Sequence, residues 1–227
     1  MTALTIQRMD VGGAAQIAVV MLHGYAMRAD DLAPFAHSLG LPAVFYVPDG
    51  PLEAEPSGRA WWPMDRARRR LALERGPRDL ADERPAGAPA ARALLRDLVA
   101  GVRRAHPNLP LAVIAFSQGG MLACDAVLHD DIRLDALALL SSSRIDLGTW
   151  LGRSDRLQGL PVLVSHGETD EDLSFAAGES LRDFCVQAGA TVTWVPFPDG
   201  HAIPLVVWRA IRRFLSGLSS RGAPSAP

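Results

Sequence analysis

Lysine is absent from this 227-residue chain, whose 23 basic side chains are all arginine. That absence excludes a Schiff-base lysine and a Ser-Lys dyad from its chemistry. An excess of one charge is missing too, because 25 acidic residues leave a formal net charge of -2. With the two signs well mixed, no field draws in nucleic acid or an anionic membrane, and a small neutral substrate suits the surface better. Long hydrophobic runs are lacking. The longest, at 17–22 and 111–116, fall far short of the ~20 residues a membrane helix needs, so no integral membrane association is expected. Cysteine is scarce: Cys124 and Cys185 lie in apolar helical contexts, where buried free thiols are expected. The first residues carry no basic stretch followed by an apolar one, so a cytoplasmic setting is the expectation.

What is present is the material for one sizeable core, with 48% hydrophobic side chains. Short apolar runs at 17–22, 43–47, 111–116, 134–140, 161–164 and 190–196 do not alternate with polar residues, and so read as strands covered on both faces. Between them, apolar residues at three and four spacing predict helices over 31–39, 90–105, 119–128, 175–188 and 203–218. This alternation implies an α/β fold, a mostly parallel twisted sheet with helices on both faces, as a single domain over 1–218. Residues 49–89 interrupt it as an insertion with six of the 17 prolines and no clear strand or long helix until its end. Residues 219–227, built of Ser, Arg, Gly, Ala and Pro, are expected to be a disordered tail.

Ser117 closes an apolar strand and opens a helix in the run Ile114-Ala-Phe-Ser-Gln-Gly-Gly120. A nucleophile elbow sits at such a junction, where the hydroxyl projects above the sheet. Ala115 stands where the elbow pattern usually has its first Gly, and its methyl fits only if the residue keeps a negative φ. A serine hydroxyl needs a base in reach and a third group to orient that base. His201 follows one predicted strand and Asp170 another, both at carboxyl ends, where ligands gather in open α/β sheets. Ser, Asp, His is the chain order of α/β-hydrolases. Spacing alone does not separate Asp170 from Glu168, Glu171 and Asp172; Asp170 is preferred and Asp172 is second. The backbone amides of Tyr25 and Gln118 suit an oxyanion hole, each worth roughly 3 kcal/mol in serine hydrolases. His23, with no catalytic task left for it, reads as structural.

Taken together, Leu22-His-Gly-Tyr25, Arg59-Ala-Trp-Trp-Pro63, Phe116-Ser-Gln-Gly-Gly120, His166-Gly-x-x-Asp170 and Gly200-His201 resemble the phospholipase/carboxylesterase branch of α/β-hydrolases, which includes acyl-protein thioesterases. The resemblance implies a Ser117, Asp170, His201 triad, an oxyanion hole from the Tyr25 and Gln118 amides, and Trp62 lining an acyl pocket. Asp170 takes the family's aspartate position. Glu171-Asp-Leu-Ser174 stands where the family usually has an apolar run ending in Pro, so the acid-bearing loop is expected to differ in shape.

Two further features bear on substrate. Trp61 and Trp62 present either a flat wall to an acyl or aryl group or a hydrophobic patch closing the core. Arg66, Arg68, Arg69 and Arg70 either attract an anionic leaving group or form a solvated helix face balanced by Asp65, Glu74 and Asp79; the second reading is preferred. The expected activity is a serine carboxylesterase or thioesterase working on a small-molecule substrate through an acyl-enzyme, with no cofactor and no metal. The rivals are an amidase on the same triad and a catalytically silent binding module. A homodimer through apolar surface near the Trp pair is left open.

Overall fold

The computed structural model describes residues 4–130 and 132–219. The tail expected from 219 onward falls outside the described residues beyond Ser219. The chain forms β1 (Ile6–Val11), β2 (Ile17–Leu22), α1 (Ala29–Ser38), β3 (Ala43–Pro48), β4 (Leu52–Ala54), β5 (Gly58–Ala60), α2 (Arg66–Leu73), α3 (Ala88–Ala105), β6 (Leu111–Phe116) and α4 (Gln118–His129). It continues through β7 (Ala136–Leu140), α5 (Leu147–Leu151), a 3-10 turn (Ser154–Leu157), β8 (Pro161–Gly167), α6 (Phe175–Gln187), β9 (Thr191–Phe197) and α7 (Leu205–Ser219).

Seven strands make one sheet in the order β1-β3-β2-β6-β7-β8-β9, parallel throughout except for antiparallel β1. The central strands are buried on both sides because their side chains alternate between two cores. In β2, Ala18, Val20 and Leu22 belong to one buried cluster with residues of α3, α4 and α6, while Ile17, Val19 and Met21 belong to a second with residues of α1 and α7. Such unbroken apolar strands can only be satisfied by helices on both faces, which is why the runs were legible without alternation. β1 escaped notice for the opposite reason. Its sequence Ile-Gln-Arg-Met-Asp-Val leaves every residue but Val11 at least partly exposed on the sheet edge, so no apolar run marks it.

Residues 49–89 are more ordered than their composition implies. Two short strands, β4 and β5, pair as a hairpin, and α2 follows, capped by the Asp65 side chain accepting from the Arg68 amide at 2.9 Å. Trp61 and Trp62 are buried and join the core on the α3 and α4 side, so the pair offers no exposed apolar surface of its own. Cys124 and Cys185 are free and buried, and burial pushes the Cys185 thiol up to about 12, which leaves it without nucleophilic character at neutral pH. No helix among the described residues is long and apolar enough to cross a membrane.

Candidate active site

The turn from β6 into α4 puts Ser117 at φ 52° and ψ -117°, a conformation L-residues seldom adopt. Surrounding structure holds it there: the Ser117 amide donates to Leu140 O at 2.9 Å, and Ser142 Oγ donates to Ser117 O at 3.2 Å. The following helix comes very close to the loop after β2. A Cβ on Gly119 would stand 2.6 Å from His23 O and 2.8 Å from Leu22 O, both rigid backbone, so only glycine fits. Ala115 keeps a negative φ inside β6, where it is fully buried and paired with Leu22 and Leu139. Its methyl therefore costs the elbow nothing.

β8 and β9 deliver the other two groups. His201 Nε2 lies 2.9 Å from Ser117 Oγ, and His201 Nδ1 lies 2.7 Å from Asp170 Oδ2. The loops carrying Asp170 and His201 are pressed together, since a Cβ on Gly167 would stand 2.2 Å from Asp199 O. Phe116 packs its ring against the imidazole with centroids 4.9 Å apart, limiting how it swings. Burial by itself would raise the Asp170 carboxyl. Hydrogen bonds from His166 and His201, the field of His201 and the Leu173 amide outweigh it, and hold the group well below the usual carboxylate range. An ionised Asp170 accepts from His201 Nδ1–H, so Nε2 is left as the acceptor facing the Ser117 hydroxyl.

Asp170 has more support than its motif announces. Its Oδ1 accepts from the amides of Asp172 at 2.8 Å and Leu173 at 2.9 Å. His166, fully buried, sets Nε2 2.9 Å from Leu173 O and 3.3 Å from Asp170 Oδ2. Both neighbours are acceptors, so that nitrogen carries the hydrogen. Asp172, the second choice for the acid, points elsewhere: it pairs with Arg69 at 2.9 Å and with Arg78.

His23 is structural, as its sequence setting implied. Nδ1–H donates to Gly24 O at 2.7 Å and Nε2 accepts from the Gly50 amide at 2.8 Å, while burial lowers the pKa and keeps the ring neutral. Tyr25 and Gln118 line a cleft of about 570 Å³ together with Ser117 and His201. Their backbone amides take no part in the loop hydrogen bonds that engage the adjoining amides of Ala26 and Ser117 among the described residues. The Gln118 side chain does something composition could not reveal. Its carbonyl accepts from the Trp61 amide at 2.9 Å and its NH₂ donates to Trp62 O at 3.1 Å, tying the tryptophan pair to the elbow. The two readings of that pair divide between its members. Trp61 donates its indole N–H to His23 O at 2.9 Å and closes the core, whereas Trp62 lines the cleft.

Met27, Phe116, Met121, Ile145 and Leu173 are among the apolar residues that line the cleft with Trp62. The arginine cluster is a largely solvated face of α2, with Arg66, Arg68 and Arg70 exposed, but the carboxylates that balance it are not the ones expected. Arg68 and Arg69 line the cleft and take other partners, Glu83 at 2.6 Å and Asp172, while Asp65 caps α2 and Asp79 pairs with Arg144 at 3.1 Å. The signal for these pairs was not available in local spacing, because Arg69 and Arg78 meet a residue 103 and 94 positions away.

A sequence model of phospholipases and carboxylesterases matches residues 10–219. The chain belongs to the phospholipase/carboxylesterase family. It is thereby a hydrolase of carboxylic esters. Solved structures share the family's fold at low identity. Esterase PE8 superposes with a TM-score of 0.80 at 23% identity, covering 96% of this chain and 100% of that one. Acyl-protein thioesterase 2 of Zea mays gives 0.77 at 19%, covering 95% and 99%. A carboxylesterase from Mesorhizobium loti gives 0.72 at 20%, covering 94% and 95%. The two departures from the family pattern, Ala115 and the Glu171–Ser174 stretch, are both absorbed without disturbing the distances between Ser117, His201 and Asp170.

Proposed function

We propose that this phospholipase/carboxylesterase family member cleaves carboxylic esters or thioesters of small molecules through an acyl-enzyme on Ser117. The observation that carries this reading is the unbroken hydrogen-bond chain from Ser117 Oγ through His201 to Asp170, at 2.9 and 2.7 Å, opening on a cleft of small-molecule size. His201 Nε2 takes the hydroxyl proton as Oγ attacks the acyl carbonyl, and Asp170 stabilises the imidazolium that forms. The Tyr25 and Gln118 amides receive the developing oxyanion, with Gln118 at the positive end of α4. His201 then returns its proton to the departing alcohol or thiol. Water, activated by the same imidazole, releases the acid and restores Ser117. Trp62 forms part of the wall against which the acyl group lies. The strained φ at Ser117 supports catalysis over a silent binding role, because such strain clusters at working sites. The buried free thiols accord with a cytoplasmic setting.

The test is turnover of p-nitrophenyl esters from two to sixteen carbons by the parent and by Ser117→Ala. The parent is expected to hydrolyse them with a chain-length optimum that sizes the cleft, and the variant to lose at least about 10³-fold in kcat. Equal rates in parent and variant would remove Ser117 from the chemistry.

A further inference from the structure

Asp172 sits in the stretch where this chain departs from its family, and it is held by two arginines of the insertion. Arg69, on α2, and Arg78, in the loop that follows, each direct one terminal nitrogen at a separate carboxylate oxygen of Asp172. The backbones join as well. The Arg78 amide donates to Asp172 O at 3.0 Å, the Ser174 amide donates to Arg78 O at 2.9 Å, and Arg78 and Leu173 form a parallel bridge. The turn fixed in this way supplies both backbone donors to Asp170 Oδ1, the amides of Asp172 and Leu173. Arg69 and Arg78 also line the cleft beside Ser117.

We infer that Arg69, Arg78 and Asp172 form a clamp through which the wall of the substrate cleft positions the acid of the triad, with Arg78 as the principal positioning residue. The inference rests on the reading of Asp170 as the catalytic acid. The hydrogen bonds of Arg78 go to Asp172 and Ser174 rather than to Asp170, His201 or Ser117. Arg78 acts by keeping the turn at 172–174 closed, so that Asp170 Oδ1 stays engaged and Oδ2 stays aimed at His201 Nδ1. A loosened turn frees the carboxylate to rotate, and small misplacements of catalytic groups carry large rate costs. Two charged donors on one carboxylate, all partly buried, make a more rigid anchor than an exposed pair.

A double-mutant cycle of Arg78→Ala with Asp170→Asn, read in kcat and KM on a p-nitrophenyl ester, tests this. Arg78→Ala is expected to lower kcat roughly 10- to 100-fold with KM changed much less, and Arg78→Lys to recover part of the loss. In the Asp170→Asn background, already slowed on the order of 10⁴-fold, the same substitution is expected to add almost nothing. Equal losses from Arg78→Ala in both backgrounds would overturn the clamp, because a residue acting through the general fold does not need Asp170. So would full kcat in the single variant. If Arg78→Ala fails to fold, as judged by circular dichroism, Asp172→Asn replaces it, keeping the side chain's size while weakening both ion pairs. Unchanged activity in Asp170→Asn alone would instead remove the triad reading on which the clamp is built.

Discussion

Ser117 carries a local conformational cost at the centre of the site. Its φ of 52° with ψ of -117° is a region that glycine enters freely and a residue with a Cβ does not. The strain is tolerated because the turn must be sharp enough to lift Oγ toward His201 while the amide and carbonyl of Ser117 remain bonded to Leu140 and Ser142. Replacing the serine therefore separates function from strain. Ser117→Ala removes the hydroxyl proposed as nucleophile and keeps the Cβ, whereas Ser117→Gly removes both. Both variants are expected to be inactive, and Ser117→Gly to be more stable than Ser117→Ala by about 1 kcal/mol, against the usual ranking in which glycine costs stability. Thermal unfolding of the two proteins at one pH checks this. The glycine variant melting lower would mean that the turn is not strained by its side chain.

Among the elements, the turn from β8 to α6 and the helix α2 are joined by charge. Burial would raise the Asp172 carboxyl, but hydrogen bonds and charge from Arg69 and Arg78 overcome it and lower the group from its ordinary value. A depressed carboxylate stabilises the fold at any pH above its unfolded value of about 3.9, and that contribution is lost as pH falls through the folded value. Asp172→Asn is thus expected to cost about 2 kcal/mol at pH 7, or roughly 4–8 °C in melting midpoint for a chain of this size. The gap from the parent should narrow below about pH 4. A gap that stays constant from pH 7 to pH 3 would show that the ionised clamp is not its source. These elements also mark the limit of what could be read from the residues. The apolar strands are local features, visible in a window of a few positions. The pairing of Arg69 and Arg78 with Asp172 depends on the sheet bringing β8 beside the insertion, and no local pattern encodes such a meeting. β4 and β5 were missed because three residues each, among prolines, present no period to count.

At the scale of the whole molecule, the parallel sheet explains why the site was largely legible. Each of the three groups in the hydrogen-bond chain follows the carboxyl end of its own strand, Ser117 after β6, Asp170 after β8 and His201 after β9. Parallel strands point those ends at one edge, so order along the chain became proximity in space without any pairing having to be known. The choice between Asp170 and Asp172 was not settled by spacing, because both ride the same turn. It rests on direction: Asp170 faces His201, while Asp172 faces Arg69 and Arg78. The cleft combines apolar residues, Trp62 and Met121 among them, with the paired charges of Arg68 with Glu83 and Arg69 with Asp172, a mixed lining of the kind small-molecule sites use. The central claim concerns one oxygen atom in this assembly, and it is tested most directly by labelling the intact protein with a fluorophosphonate and mapping the adduct by peptide mass spectrometry. A single adduct on the peptide bearing Ser117, absent from Ser117→Ala, is the result predicted. An unlabelled parent protein, or an adduct that persists on another residue of Ser117→Ala, would contradict it.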